Sequence, residues 1–188
     1  TIGGVGIIKN LNNIMTKELK ETESFILVVG KTSGHLYQSE FFREVLGFKD
    51  GPPPEINLFN EKNNGEIIQT LIEKRLLSSV HDISSGGMLL ALAEMCLFGK
   101  IGVKIKTPRD NMGKHEYLFG EDQSRYLIEV NKKNKNEVEK ILEKNSIFHE
   151  IIGITQKDNL SLDKDFNVKL SELKNYSTYW FKNYFKEE

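Results

Sequence analysis

The stretch that decides the fold runs Leu77-Ser-Ser-Val-His-Asp-Ile83, then Ser84-Ser-Gly-Gly87, then Met88-Leu-Leu-Ala-Leu-Ala-Glu-Met-Cys-Leu-Phe98. It reads as strand, tight turn and helix. The last part is apolar on all sides except at Glu94, the pattern of a helix buried all round rather than one lying on a surface. Gly99 stops that helix. Ile101 to Ile105 then reads as a further strand.

Working outward, Phe25-Ile-Leu-Val-Val-Gly30 predicts a buried strand and Lys31-Thr-Ser-Gly34 a turn. Ser39 to Leu46 predicts a short amphipathic helix with Phe41, Phe42 and Val45 on one face, ended by Gly47. Gly51-Pro-Pro-Pro-Glu55 is a rigid loop, because each proline fixes its own φ and restricts its predecessor. From Asn57 to Leu77 the period is helical, with Ile67, Ile68, Leu71, Ile72 and Leu76 opposite Glu66, Gln69, Glu73 and Lys74. Thr107 to His115, with Pro108 and Gly113, reads as a loop. Tyr126 to Val130 and Phe148 to Thr155 read as strands on either side of a helix from Asn136 to Lys144. Leu160 to Leu162 and Asn167 to Leu170 form a hairpin. Ser171 is placed to N-cap a last helix reaching about Phe185. On it Leu173, Tyr176, Trp180 and Tyr184 recur at helical spacing, predicting an aromatic face packed on the body. The irregular alternation predicts an α+β fold, a mixed β-sheet with helices packed on it.

Composition narrows the function classes. The chain has 188 residues, 28% charged, 38% hydrophobic, with a formal net charge of −1. That length suits one domain, or a domain plus part of another, and buries about 70% of the unfolded surface without staples. Mean hydropathy is −0.42, and no run approaches the ~20 apolar residues of a membrane span. Near-zero charge argues against nucleic acid as a partner. The single Cys96 has no partner for an internal disulfide, which suits a reducing, cytoplasmic setting. Thr1-Ile-Gly-Gly-Val-Gly-Ile-Ile8 lacks the basic n-region of a signal peptide. It reads as the end of a strand entered from upstream, its glycines allowing close backbone packing. They miss the G-x-G-x-x-G spacing of a dinucleotide loop.

Two constellations are candidates for chemistry. In the first, Ser84 or Ser85 caps the following helix while Gly86 and Gly87 leave its amides uncovered, so an anion can sit on the positive helix end. Asp82 lies just before it and implies a bridging metal or a hydroxyl partner. Cap plus close helix–strand packing explains the same residues equally well. In the second, Leu118-Phe-Gly-Glu-Asp-Gln-Ser-Arg-Tyr126, an extended backbone puts Glu121, Gln123 and Arg125 on one face. There they hold a sugar hydroxyl or phosphate, with Arg125 bidentate. The simpler alternative is a Glu121–Arg125 ion pair at the sheet edge. His81 reads as a satisfied histidine at a strand end. No histidine or cysteine spacing suggests a metal site.

Thr1-Ile-Gly-Gly-Val-Gly-Ile7, His81-Asp-Ile-Ser-Ser-Gly-Gly87 and Leu118-Phe-Gly-Glu-Asp-Gln-Ser-Arg125, in this order and with Gln38-Ser-Glu40 and Pro52-Pro-Pro54, resemble the C-terminal part of the phosphoribosylformylglycinamidine synthases. These belong to the aminoimidazole ribonucleotide synthase-like superfamily. The match is to the large subunit of the multi-subunit form and covers essentially the whole chain. Two departures stand out: Ser85 replaces a usual acidic residue, and Gly120-Glu-Asp-Gln123 replaces Ser-Glu-Ser-Gln. The resemblance implies a ligase of purine synthesis that uses ATP, magnesium and glutamine-derived ammonia on a ribonucleotide substrate. It implies residues 1–20 as the end of a preceding ATP-binding domain and 21–188 as a lid-like C-terminal domain. It places the catalytic histidine and the magnesium ligands upstream, so this chain alone is expected to be inactive. It further implies a glutaminase subunit and a small bridging subunit as partners. On this reading Asp82, Ser84, Ser85, Gly86, Gly87, Glu121, Gln123 and Arg125 form a phosphate or nucleotide site. The alternatives are a catalytically silent scaffold or a related member such as aminoimidazole ribonucleotide synthase.

Overall fold

A computed structural model describes residues 3–8, 10–106 and 112–185. Seven strands form one sheet in the order β2-β4-β1-β5-β3-β6-β7. They are β1 (Phe25–Val29), β2 (Ser79–Asp82), β3 (Gly102–Ile105), β4 (Tyr126–Val130), β5 (His149–Gln156), β6 (Asn159–Leu162) and β7 (Phe166–Lys169). Every pairing is antiparallel except β3 with β6, so the sheet is mixed, as the irregular element order requires. The helices are α1 (Leu58–Glu73), α2 (Gly87–Gly99), α3 (Lys114–Phe119), α4 (Lys135–Lys144) and α5 (Leu170–Tyr184).

The sheet is covered on both faces. Strand side chains alternate, so Ile26 and Val28 enter one core with Met88, Leu92 and Met95 of α2, while Leu27 and Val29 enter another with Ile67, Ile68 and Leu71 of α1 and Val138 and Leu142 of α4. The central strand β1 is therefore apolar throughout. The apolar composition of α2 has the same cause, since it lies between the sheet and α3 and α5, which contribute Tyr117, Leu118, Leu170 and Leu173 to that core. Cys96 is fully buried in it, and burial pushes its thiol up to about 12, which removes it from nucleophilic chemistry.

Several local expectations change. The Thr107 to His115 loop lies outside the described residues at 107–111, and its end belongs to α3, which the short polar sequence concealed. Residues 41–45 form a single π-helical turn rather than an amphipathic helix, with Val45 exposed. Helix α5 begins at Leu170 with Lys169 as its cap residue and no side-chain capping bond, so Ser171 sits inside the first turn. Tyr176, Trp180 and Tyr184 are 71%, 66% and 70% exposed, so the aromatic face does not pack on the body. Residues 3–8 form no strand, and added Cβ atoms at Gly3, Gly4 and Gly6 would touch nothing, so those glycines serve no close packing within this structure.

The segment after them is firmly held. Leu19 is core, and its amide donates to the Met95 carbonyl. The Lys20 and Glu21 amides donate to the carboxylate of Glu129, which is fully buried and also accepts from Ser79 Oγ at 3.1 Å. Glu129 thus anchors the chain's entry to the sheet.

Candidate functional site

Three segments meet beside the N-terminal end of α2: the connection after β1, the turn after β2 and the loop before β4. Gly86 (φ 81°) and Gly87 (φ 67°) are both left-handed, the region glycine occupies without steric cost. A Cβ on Gly87 would stand 2.6 Å from the Phe119 carbonyl carbon. Gly87 therefore lets α3 and its following loop run directly against the start of α2, whereas a Cβ on Gly86 would meet the Leu90 side chain of α2 itself.

That loop brings its own anion. Glu121 Oε1 accepts the Gly86 amide at 2.7 Å and the Glu40 amide at 2.8 Å. The N-cap residue of α2 is Gly86, without a side-chain capping bond, so neither Ser84 nor Ser85 caps the helix. Both serines are exposed, and the Ser84 carbonyl accepts the Gly87 amide. The expected row of Glu121, Gln123 and Arg125 on one face does not exist. Residues 123–124 form a bend and Ser124 is left-handed (φ 63°), which breaks the period-two geometry. Glu121 turns to α2, Gln123 turns to solvent, and Arg125 turns inward.

Arg125 is 1% exposed and cannot close a ligand site from outside. Its guanidinium donates to the carbonyls of Gly120 (2.6 Å) and Asp122 (3.2 Å) and to Thr32 Oγ1 (3.2 Å). It pairs at 3.7 Å with Asp122, not with Glu121. Burial lowers its pKa from the usual arginine value, against the pull of Asp122 and Glu121. Asp122, which the sequence reading passed over, accepts three successive amides, Ser33 (3.0 Å), Gly34 (3.0 Å) and His35 (3.2 Å). No local pattern marks it, because its partners lie near ninety positions away.

Asp82 ends β2 with its side chain exposed, and its carboxylate faces His81 Nδ1 at 3.1 Å. His81 Nε2 faces Glu94 at 3.2 Å, and Glu94 pairs with Lys17. The bond from Lys17, then that with His81, holds the Glu94 carboxyl below its ordinary value.

On the other side of the 120–125 loop lies a cleft of about 620 Å³. Its walls are the connection after β1, the first turns of α1 and the same loop. Lys31, Tyr37, Asn57, Asn60 and Gln123 offer it a cation, an aromatic ring and neutral amides, a mixture suited to a small polar ligand. Of the eight expected site residues, only Gln123 lines it. Among the described residues no group of three or more His, Cys, Asp or Glu is placed to hold a metal ion, and no helix is long and apolar enough to cross a membrane.

The chain resembles longer proteins. It is 48% identical over 183 residues to the phosphoribosylformylglycinamidine synthase subunit PurL of Pelagibacter ubique, a match covering 97% of this chain and 25% of that protein. The chain thus spans about a quarter of the length of the curated relatives it matches. Among solved structures it resembles Thermotoga maritima PurL complexed with FGAR, with a TM-score of 0.74 and 18% identity, covering 87% of this chain and 30% of that one. The same protein complexed with ATP gives 0.69 and 17% (87% and 27% covered), and the PurLQS structure gives 0.65 and 18% (87% and 28% covered). At such identities these likenesses establish the fold alone. Residues 24–164 match the family described as AIR synthase related protein, C-terminal domain, and the chain belongs to that family.

Proposed function

We propose that this chain is the C-terminal unit of a phosphoribosylformylglycinamidine synthase subunit. That ligase converts formylglycinamide ribonucleotide, ATP and glutamine-derived ammonia to the amidine in purine synthesis. The observation that carries this reading is the 48% identity to PurL over nearly the whole chain. The likeness to PurLQS from Thermotoga maritima supports partner subunits, which we take to be a glutaminase and a small bridging subunit. The ATP-complexed Thermotoga protein supports ATP use by the whole subunit.

Within that subunit we assign this unit a shaping role. The residues at the α2 N-terminus do not fit a nucleotide phosphate, because the Glu121 carboxylate stands where the phosphate would sit and would repel it. The described residues do not fit its magnesium either. We therefore assign ATP, magnesium and the phosphoryl transfer to parts of the subunit outside this chain. The 620 Å³ cleft, lined by Lys31, Tyr37, Asn60 and Gln123, is where we place a small-molecule contact of this unit. We place the start of this unit before residue 19 rather than at residue 21, on the ground that Leu19 is core and Lys20 is bonded to Glu129. We place the setting in the cytoplasm.

The test is a chimera. This chain replaces the matching quarter of Pelagibacter PurL, and amidine formation is measured with ATP and ammonia. The chimera is expected to turn over and the isolated chain to be inactive. A folded chimera without activity, beside an active parent, overturns the assignment.

A further inference from the structure

We infer that Glu121 is the resident anion of the α2 N-terminus and that it latches the 35–42 segment to that helix. One carboxylate oxygen, Oε1, receives amides from two segments far apart in sequence, Gly86 at the start of α2 and Glu40 before the π-helical turn. The rest of the junction is built around this contact. The Glu121 amide donates to the His35 carbonyl at 2.8 Å, and buried Ser39 accepts the Phe42 amide at 3.2 Å. Phe41 stacks on Phe119 at 4.6 Å and on His115 at 5.2 Å. Glu40 turns its own carboxylate to Arg43, while its backbone amide donates to Glu121.

The positive end of a helix draws an anion, and here the chain supplies one from two residues beyond α3. An external phosphate reaching Gly86 must displace Glu121, and the same displacement removes the acceptor of the Glu40 amide. Occupation of the helix end and freeing of the Glu40 amide are thus one event, while the Glu121 amide and the Asp122 carboxylate keep their hold on His35. That segment carries His35, Leu36, Tyr37 and Phe42 into the wall of the cleft, so the latch also fixes one side of the cleft.

Amide hydrogen exchange on the 188-residue chain tests this. In Glu121→Ala the Gly86 and Glu40 amides are expected to exchange at least tenfold faster together. The Ser33 and Gly34 amides, which Asp122 holds, are expected to keep their protection. Inorganic phosphate is expected to restore protection at Gly86 but not at Glu40, because free phosphate is not tethered to span both. If Glu121→Ala unfolds, the isosteric Glu121→Gln provides the reading, with smaller losses at the same two amides. Unchanged exchange at either amide in a folded variant overturns the latch. So does saturable phosphate binding at Gly86 of the unaltered chain that leaves Glu40 protected.

Discussion

The loop Gly120-Glu-Asp-Gln-Ser-Arg125 and the outer turns of α5 met opposite fates to those their compositions suggest. The loop is polar throughout, yet Asp122 is 8% and Arg125 1% exposed. The outer part of α5 carries Tyr176, Tyr179, Trp180, Phe181 and Tyr184, yet all are exposed. Transfer from water alone would reverse both placements. What decides each is the surface opposite. The amides of Ser33, Gly34, His35, Glu40 and Gly86 take no strand partner, and backbone donors partly withdrawn from water need acceptors; two adjacent carboxylates satisfy all five. Among the described residues, helix α5 engages the core through Leu170 and Leu173, and its outer turns lie exposed.

The largest effect that can break this contrast lies at Asp122. Asp122→Ala strands three amides and leaves a fully buried guanidinium without its ion-pair partner. The expected cost is about 3–5 kcal/mol, the range for removing one member of a buried pair. Urea unfolding followed by far-UV circular dichroism measures it. A loss below about 1 kcal/mol would show that the polar loop rests on the fold rather than holding it.

The sequence made the fold legible wherever pattern and burial agree. α1, β4, α4 and the closing hairpin follow from period-two or period-3.6 runs, and β1 and α2 from continuous apolar runs, all set between turn residues. The misses share a cause. Helix α3 is six residues long, too short for its period to show. The row at Glu121, Gln123 and Arg125 failed because a left-handed Ser124 cannot be read from one serine. The site was half legible: Gly86 and Gly87 do open a helix end, but the anion that meets it comes from 35 positions away. The partners of Asp122 lie farther still along the chain, and no local pattern encodes such a meeting.

Two substitutions of middle size sharpen the comparison from each side. Leu173→Ala, at the one part of α5's stripe that reaches the core, is expected to cost about 2 kcal/mol, the low end for a leucine truncation because the residue is half-buried. Glu121→Gln keeps the acceptor and removes its charge. It is expected to cost about 1 kcal/mol, the difference between charged and neutral hydrogen bonds. Thermal unfolding of both variants ranks them below Asp122→Ala. A Glu121→Gln loss as large as that of Asp122→Ala would mean the two carboxylates are one structural unit.

Charge on the open side of α2 is expected to matter less. Lys17, and after it His81, hold the Glu94 carboxyl below its ordinary 4.5. A depressed carboxyl stabilises the fold above its unfolded value, and that contribution fades as pH falls from about 4.5 through the lower folded value. The Lys17 and Glu94 side chains are 34% and 39% exposed, so the pair is worth below about 1 kcal/mol. Lys17→Met should therefore lower stability slightly at pH 7 and less at pH 3. An equal loss at both values would assign Lys17's effect to its ammonium over the Phe98 ring, 4.5 Å from the centroid.

The smallest effect should come from the most conspicuous side chain. Trp180 stacks on Tyr184 at 5.3 Å, but both rings remain mostly in water, and neither belongs to the cores around the sheet. Truncation removes a contact between two exposed rings and opens no cavity. Trp180→Ala is accordingly expected to change unfolding stability by less than about 0.5 kcal/mol, the usual bound for a surface site. Its fluorescence in the unaltered chain should already peak near the wavelength of free tryptophan and be quenched readily by iodide. A blue-shifted, protected Trp180, or a loss above about 2 kcal/mol, would mean that the outer turns of α5 do find a surface. The aromatic stripe would then join Leu173 as packing, and the contrast with the 120–125 loop would fail on that side.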